Sequence, residues 1–513
     1  MKNKSTIVHL TSEVAPFYKR GGLGDVAGSL PRYLQSEGTN YVISFHYHGR
    51  MKGLERAGRA QLLIPIHGIE YTFHYYRLQQ GGVRYYFIDL QDDHVFSDAE
   101  GGSNPQQRGK GKTAYRETLP MIVHFYFAKA ALYLLLREGI PADFLLLHDW
   151  HVGGIFAYEK LLGELRRRHR CKTLLLIHNY EHQGELVPDM FRFMDEESRE
   201  VLARLYRRYG NASLLGLAID RSDFVGTVSK GYAEELMTQR APHPNFHFLQ
   251  RRSDCVLDFT NGVDYSEWHP RNSPHLPWPY DWESRATKRA YRREVLYQCG
   301  LADDERPLAL LMARLTPQKG IYLLMNPALE DEAALAQLQR HLRTGWKIIV
   351  YGNPSGGTQG RIHHLFSLAQ QRFPNRFFYD ADYTEPKAHR YLAAADLLLS
   401  PSKFEPCGLV QLYAMAFGTV PLVNPIGGLG ETVICHQREP KRATGFHLSE
   451  YTTDSLHRSL QRAIRLYGLY PDKWEALMRR GMHSDFSWER QIQRYRDFFE
   501  RYHSRRRLPR ELV

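Results

Sequence analysis

Short, almost continuously apolar runs, each followed by a stretch of helical spacing, constrain this chain more than any other feature. Residues 6–10, 41–45, 83–90, 144–147, 173–177 and 224–228 are strand-like. Strands covered on both faces read in this way, so the first half predicts a parallel sheet wrapped by helices. After a Pro- and Trp-rich connection at 274–282 the pattern restarts, with strands expected at 307–312, 346–351, 376–379, 397–400 and 420–423. Two doubly wound units in tandem imply ligand binding in a cleft at the carboxyl ends of their strands. The length, 513 residues, exceeds what one core organises and agrees with two domains. A last helix is expected over 488–502 from its aromatic and apolar spacing. Residues 91–114, rich in Gly, Asp, Ser and Gln, read as a mobile loop.

Composition narrows the class. An apolar content of 43%, with 32 Tyr and 25 Phe, argues against disorder. Residues 1–5 run directly into the first predicted strand with no long apolar core, so no signal peptide is expected. The longest apolar run, 125–136, is broken by Lys129 and falls short of the roughly 20 residues of a membrane span. Cys171, Cys255, Cys299, Cys407 and Cys435 are scattered without C-x-x-C spacing, which predicts reduced thiols, a cytoplasmic location and no zinc site. The net charge of +12 is concentrated in runs such as Arg166-Arg167-Arg168-His169-Arg170 and Arg505-Arg506-Arg507. Neither run lies in a nucleic-acid-binding motif, so a solvated basic face is expected, with no nucleic acid or membrane partner.

Six constellations interrupt the apolar pattern just beyond predicted strands. Lys19-Arg20-Gly21-Gly22-Leu23-Gly24-Asp25 opens a helix. Its glycines let the backbone approach a ligand, and the helix start favours an anion. The G-x-G-x-x-x-G spacing of Gly22, Gly24 and Gly28 differs from the dinucleotide fingerprint, and the loop by itself is equally well read as a plain turn. Arg314 and Lys319, in Arg314-Leu315-Thr316-Pro317-Gln318-Lys319-Gly320, are two cations suited to a diphosphate; solvated cations at a helix start are the alternative. Glu405, in Phe404-Glu405-Pro406-Cys407-Gly408-Leu409, puts a carboxylate where it can grip hydroxyls, face positive charge or simply cap a helix. Gly427-Gly428-Leu429-Gly430-Glu431-Thr432 repeats the glycine device. Histidines gather in His148-Asp149-Trp150-His151 and His178-Asn179-Tyr180-Glu181-His182-Gln183-Gly184. Their spacing matches no standard metal site, whereas polar groups beside a tryptophan suit a sugar.

In this order the motifs resemble the bacterial glycogen synthase and plant starch synthase family over nearly the whole chain. The joint match also takes in Asn261-Gly262-Val263-Asp264 and Phe486-Ser487-Trp488. The resemblance implies an α/β GT-B fold: a first Rossmann-like domain over 1–270, a linker over 271–300, a donor-binding domain over 301–486, and a terminal helix at 487–513 crossing back to the first domain. It implies a hexosyltransferase, needing no metal or cofactor, that moves glucose with retention from ADP-glucose, or UDP-glucose, to the non-reducing end of an α-1,4-glucan such as glycogen, starch or a maltooligosaccharide. By position, Glu405, His178, Lys319 and Arg314 are then the catalytic set. Lys19, Gly21, Gly22, Gly24, Tyr383, Cys407, Gly408, Leu409, Gly427, Gly428 and Thr432 join them on the donor. Glu13, Asp25, Tyr115, Asp149, Trp150, Asn179, Gln183 and Asn261, with His178, face the acceptor or the sugars. Tyr413 matches the family's usual tyrosine eight residues after Glu405.

Four positions depart from the family pattern. Tyr115-Arg116-Glu117-Thr118 stands where Tyr-x-Asp-Asn is usual, Ile426 replaces a threonine, Glu431 an aspartate, and Gly352-Asn353-Pro354-Ser355 a glycine-rich turn. The first motivates an alternative function, a catalytically weak glucan-binding or glucan-initiation scaffold of the same fold.

Overall fold

The computed structural model describes residues 4–503 except 48, 52, 55–56, 67–68, 91–112, 188–189, 192–193, 239–245, 253–255 and 356; the side chains at 69, 113–121, 246 and 503 are also not described. The expected loop at 91–114 lies outside these residues as far as 112. The chain divides into two units. Unit 1 comprises 1–228, 233–260 and 491 onward, and unit 2 comprises 229–232 and 261–490.

Unit 1 is built on a nine-stranded sheet. Its strands are β1 (Ser5–Leu10), β2 (Gly38–Phe45), β3 (Gly58–Ile66), β4 (Ile69–Gln80), β5 (Val83–Asp89), β6 (Phe144–His148) and β7 (Lys172–Ile177). A small pair, β8 (Glu185–Leu186) and β9 (Ala212–Ser213), lies apart from it, and β10 (Phe224–Thr227) and β11 (Val256–Asp258) complete it. The order is β11-β10-β7-β6-β1-β2-β5-β4-β3. All neighbours are parallel except β3 with β4 and β4 with β5. The sheet is therefore mixed where a parallel one was expected. Between β4 and β5 only Gly81 and Gly82 intervene, both with positive φ, the requirement of a two-residue hairpin turn whose twist matches its strands.

Unit 2 carries a six-stranded, wholly parallel sheet: β12 (Leu308–Met312), β13 (Lys347–Tyr351), β14 (Phe377–Asp380), β15 (Leu397–Ser400), β16 (Val420–Val423) and β17 (Phe446–His447), in the order β14-β13-β12-β15-β16-β17. Alternate residues of β12 enter two separate cores. Ala309 and Leu311 join one with Ile348, Val350 and Leu338, while Leu308, Leu310 and Met312 join the other with Ile349, Tyr351 and Tyr291. Burial on both faces is the physical reason these strands are largely apolar. The stretch read as a linker belongs to the second core: Leu276, Tyr280 and Tyr291 are buried in it, as is the preceding Trp268, which stacks on Tyr413 with ring centroids 4.0 Å apart. The main span of unit 2 thus starts at residue 261, ahead of the expected boundary at 270.

The final helix, Trp488–His503, starts in unit 2 and ends in unit 1. There Phe498 packs on Phe144, Phe224 and Phe259, and Tyr495 stacks on Phe259. Among the described residues no helix is long and apolar enough to cross a membrane.

Candidate active site

In an open parallel sheet, a crevice forms at the carboxyl edge where neighbouring strands send their connections in opposite directions. In unit 1 this switch lies between β1, which leads on to β2, and β6 on its other side. In unit 2 it lies between β12 and β15. The residues singled out from sequence gather at these two edges.

Beyond β1, the chain loops through Glu13 to the helix Gly22–Tyr33. The buried Glu13 carboxylate accepts the Arg20 backbone N–H. Lys19 is not a free cation: its Nζ lies 2.8 Å from Asp25 Oδ1. A Cβ on Gly24 would stand 2.5 Å from Lys19 Cβ, so the loop's closeness to its helix requires glycine there. Gly21 and Gly22 lie at least partly open to solvent.

Beyond β6, Asp149 adopts a left-handed φ of 62°. Its Oδ1 accepts the backbone N–H groups of His178, at 2.6 Å, and Asn179, at 3.1 Å, past the end of β7. Burial pushes its carboxyl up to about 7, opposed by those two hydrogen bonds. Burial also holds the His178 imidazole down to about 3, and hence neutral. Its Nε2 faces His148 Nδ1 at 3.0 Å. Trp150 stacks on His151 at 4.1 Å and meets the edge of His124. Two expected site residues are occupied by the fold itself. Gln183 is buried and its amide donates to the Tyr180 carbonyl, while Asn179 Oδ1 accepts from Glu181 N–H. The Tyr115 side chain lies outside the described residues.

In unit 2, Glu405 is the centre of a compact polar group. Lys319 Nζ approaches its Oε2 at 2.5 Å and Ser402 Oγ donates to the same oxygen at 2.9 Å. The ion pair is 20% and 12% exposed, so both charges remain reachable from solvent. Gln318 binds this loop at two places, donating to the Phe404 carbonyl and accepting from Lys403 N–H. Arg314 is exposed and its guanidinium has no partner among the described residues. The glycine turn packs directly on the Glu405 loop: Gly427 has φ of 44°, and a Cβ there would lie 2.1 Å from the Glu405 carbonyl oxygen. A Cβ on Gly428 would meet the Cys407 carbonyl oxygen at the same distance.

Cys407 is buried, its thiol raised to about 12 by that burial, and Asn261 hydrogen-bonds to it. Asn261 thus lies in unit 2. Gly408 and Leu409 are partly open, directly before the helix Val410–Ala416. Thr432 is buried, its hydroxyl bonded to the Gly428 carbonyl and to Gln411. Tyr383, 40% exposed, stacks on Tyr351. Sequence reasoning missed Ser402, His9 and Asn40. A lone histidine inside the apolar strand Ile7-Val8-His9-Leu10 was the available signal for one of them.

Residues 6–250 match the family model of the starch synthase catalytic domain, and residues 296–476 that of glycosyl transferases group 1. The chain is 30% identical to the glycogen synthase of Aeromonas salmonicida over 97% of its own length and 98% of the relative's. Its identity to the glycogen synthase of Geobacillus stearothermophilus is also 30%, over 96% of this chain and 97% of that one. Among solved structures, the catalytic domain of starch synthase IV from Arabidopsis thaliana, bound to ADP and acarbose, superposes with a TM-score of 0.84 at 26% identity, covering 97% of this chain and 99% of that one. Sucrose-phosphate synthase from Thermosynechococcus elongatus, 18% identical with a TM-score of 0.59, shares the fold.

Two Rossmann-like units with these likenesses define a glycosyltransferase of the GT-B fold. Within that class the transferred group is glucose. The chain belongs to the glycogen and starch synthase family, as its motifs indicate.

Proposed function

We propose that this enzyme lengthens α-1,4-glucans, taking glucose from a nucleoside diphosphate glucose and adding it with retention to the 4-hydroxyl at a non-reducing end. ADP-glucose is the first donor to consider, because the Arabidopsis relative carries ADP, and UDP-glucose is the second. The observation that carries the reading is the Lys319–Glu405 pair, whose lysine lies on the same loop as an exposed Arg314 that has no partner among the described residues. Breaking the sugar–phosphate bond builds positive charge at the anomeric carbon and negative charge on the departing diphosphate. Glu405 answers the first charge. Arg314 and Lys319 answer the second, with the Gly427-Gly428 backbone close by. Tyr383 offers a ring face to the base. Lys19 with the Gly21 to Gly24 backbone supports the donor, and His178 binds a hydroxyl of the transferred glucose. Glu13, Asp25, Asp149, Trp150 and Asn179 serve the acceptor or the sugars. Four cysteines, Cys171, Cys299, Cys407 and Cys435, are free and buried, which suits a reducing cytoplasm.

Nucleotide release from ADP-glucose and from UDP-glucose, measured with and without glycogen or maltooligosaccharide, tests the assignment. Glu405→Ala and Lys319→Ala should each lower turnover about 100-fold or more, the scale of a lost electrostatic contact in a transition state. Near-normal activity in either purified variant would overturn the role of that residue. The departure at Tyr115-Arg116-Glu117-Thr118 motivates the second reading, a glucan-binding scaffold. Glucan binding without nucleotide release from either donor would establish that reading instead.

A further inference from the structure

Three histidines and an asparagine form a continuous hydrogen-bonded chain across four adjacent strands of unit 1. Asn40 on β2 places Oδ1 3.2 Å from His9 Nε2 on β1. His9 Nδ1 lies 3.2 Å from His148 Nε2 on β6, and His148 Nδ1 lies 3.0 Å from His178 Nε2 past β7. The ring centroids are 5.5 and 5.2 Å apart. With facing nitrogens so much closer than the centroids, the rings meet edge to edge through their nitrogens rather than face to face.

The relay has a direction. His9 and His148 have no exposed surface, and burial holds all three imidazoles well below their ordinary pKa. Each is therefore neutral, with one N–H donor and one lone pair. The Gly38 carbonyl can only accept, so the Asn40 amide nitrogen is the group that faces it, at 3.1 Å. Asn40 Oδ1 is then the acceptor at the other end of the amide. His9 must donate from Nε2 and accept at Nδ1. His148 must in turn donate from Nε2 and accept at Nδ1, and His178 must donate from Nε2. What remains at the open end is the lone pair of His178 Nδ1, which has no partner among the described residues.

We propose that Asn40, His9 and His148 are positioning residues that lock His178 into the tautomer with an accepting Nδ1, so that this ring selects a ligand hydroxyl and rejects a group that has no proton to give. This rests on the functional reading in which His178 touches the transferred sugar. Asp149 complements the relay by holding the His178 backbone N–H, so ring and backbone are fixed from different directions. A reversed relay would present an N–H to the ligand and would accommodate a carboxylate or a fluorine in place of the hydroxyl.

The full-length protein labelled with 15N in its histidine rings tests the proposal, because ring correlations distinguish the two neutral tautomers without substrate. His9→Gln, His148→Gln and His178→Gln assign the three signals. All three rings should be Nε2–H in the unsubstituted protein. Asn40→Leu removes the terminal acceptor and His148→Phe cuts the chain while keeping a ring, so either should leave His178 as a mixture of tautomers. Each should lower kcat/KM for the nucleoside diphosphate glucose that the enzyme turns over by about 10-fold or more, the scale for groups that fix a histidine tautomer. An Nδ1–H tautomer at His178 in the unsubstituted protein would overturn the proposal. So would an unaltered His178 signal in both folded variants. Failure of the functional reading is seen separately, as absence of nucleotide release from a protein whose tautomers are as expected.

Discussion

Glu405 has little room to move. Its side chain is held by Lys319 and Ser402, and its carbonyl oxygen abuts the α-carbon of Gly427. Gly427→Ala introduces a Cβ into that contact and forces alanine into a left-handed conformation, which costs about 1–2 kcal/mol before any clash is counted. The Glu405 loop is the part that must shift. The expected outcome is a turnover reduced about 10-fold or more with glucan affinity unchanged, measured by steady-state kinetics beside glucan binding; a fully active Gly427→Ala enzyme would show that the turn does not position Glu405. Lys19 and Asp25 are coupled in the same sense. Their motif assigns them to different ligands, and in the fold they neutralise one another.

At the level of elements, legibility followed burial. β1, β2, β6, β7, β10 and the first five strands of unit 2 were readable because cover on both faces leaves them largely apolar. β3 and β4 escaped notice. β3 alternates buried and exposed residues along Leu62, Leu63, Ile64, Pro65 and Ile66, and its strongest local signal was the Gly81-Gly82 turn of the next hairpin. β17, two residues long, carries no periodicity to read. Among the candidate site residues, Lys19, Arg314, Lys319 and Glu405 stood out because charge and glycine interrupt an apolar strand pattern. His9 and Asn40 did not, because their partners depend on which strands become neighbours. Gln183 lies within a matching motif, Thr432 follows one and Tyr413 stands at a matching position, and the fold engages all three in internal hydrogen bonds or stacking. The last helix offers a test of element packing. Phe498 is buried among Phe144, Phe224 and Phe259, so Phe498→Ala should destabilise unit 1 by about 3–5 kcal/mol, visible as a lower urea midpoint. A midpoint unchanged from the parent would mean that the helix contributes nothing to the sheet it covers.

For the whole molecule, buried histidines make acidity the weak flank. His9, His124, His148, His151 and His178 are all held by burial below their ordinary value of 6.5. Between that value and the folded one, the unfolded chain binds protons that the folded chain does not. The stability these rings allow is therefore full above pH about 6.5 and falls as pH drops, by about 1.4 kcal/mol per pH unit for each ring. Asp149 acts in the other direction. Its carboxyl is raised to about 7, so between about 4 and 7 the folded chain holds a proton that the unfolded chain lacks, and acid favours the fold at this one site. Five rings outweigh one carboxyl. In unit 2, among the described residues, His269, His341, His436, His447 and His457 are lowered as well, but only His341 reaches as far as about 4, and the contrast between the units is one of depth. Unit 1 should thus unfold first as pH falls from about 6.5 toward 4. Trp150 is the only tryptophan in the sequence of unit 1, so the emission lost in Trp150→Phe reports that step separately from unit 2. Simultaneous unfolding of both units at the same pH would contradict this expectation.

The divided ownership of the final helix bears on how the protein is made. A leading domain ordinarily finishes folding while the rest of the chain is still being translated. In this chain the aromatic cover of unit 1 lies beyond residue 490, after the whole of 261–490. At about 5–20 residues per second the ribosome takes about 10–50 s to cross that span. Throughout it, the nascent sheet lacks the cover that Phe498 supplies to Phe144, Phe224 and Phe259. A chain released early, before residue 491, carries the same uncovered rings for as long as it survives.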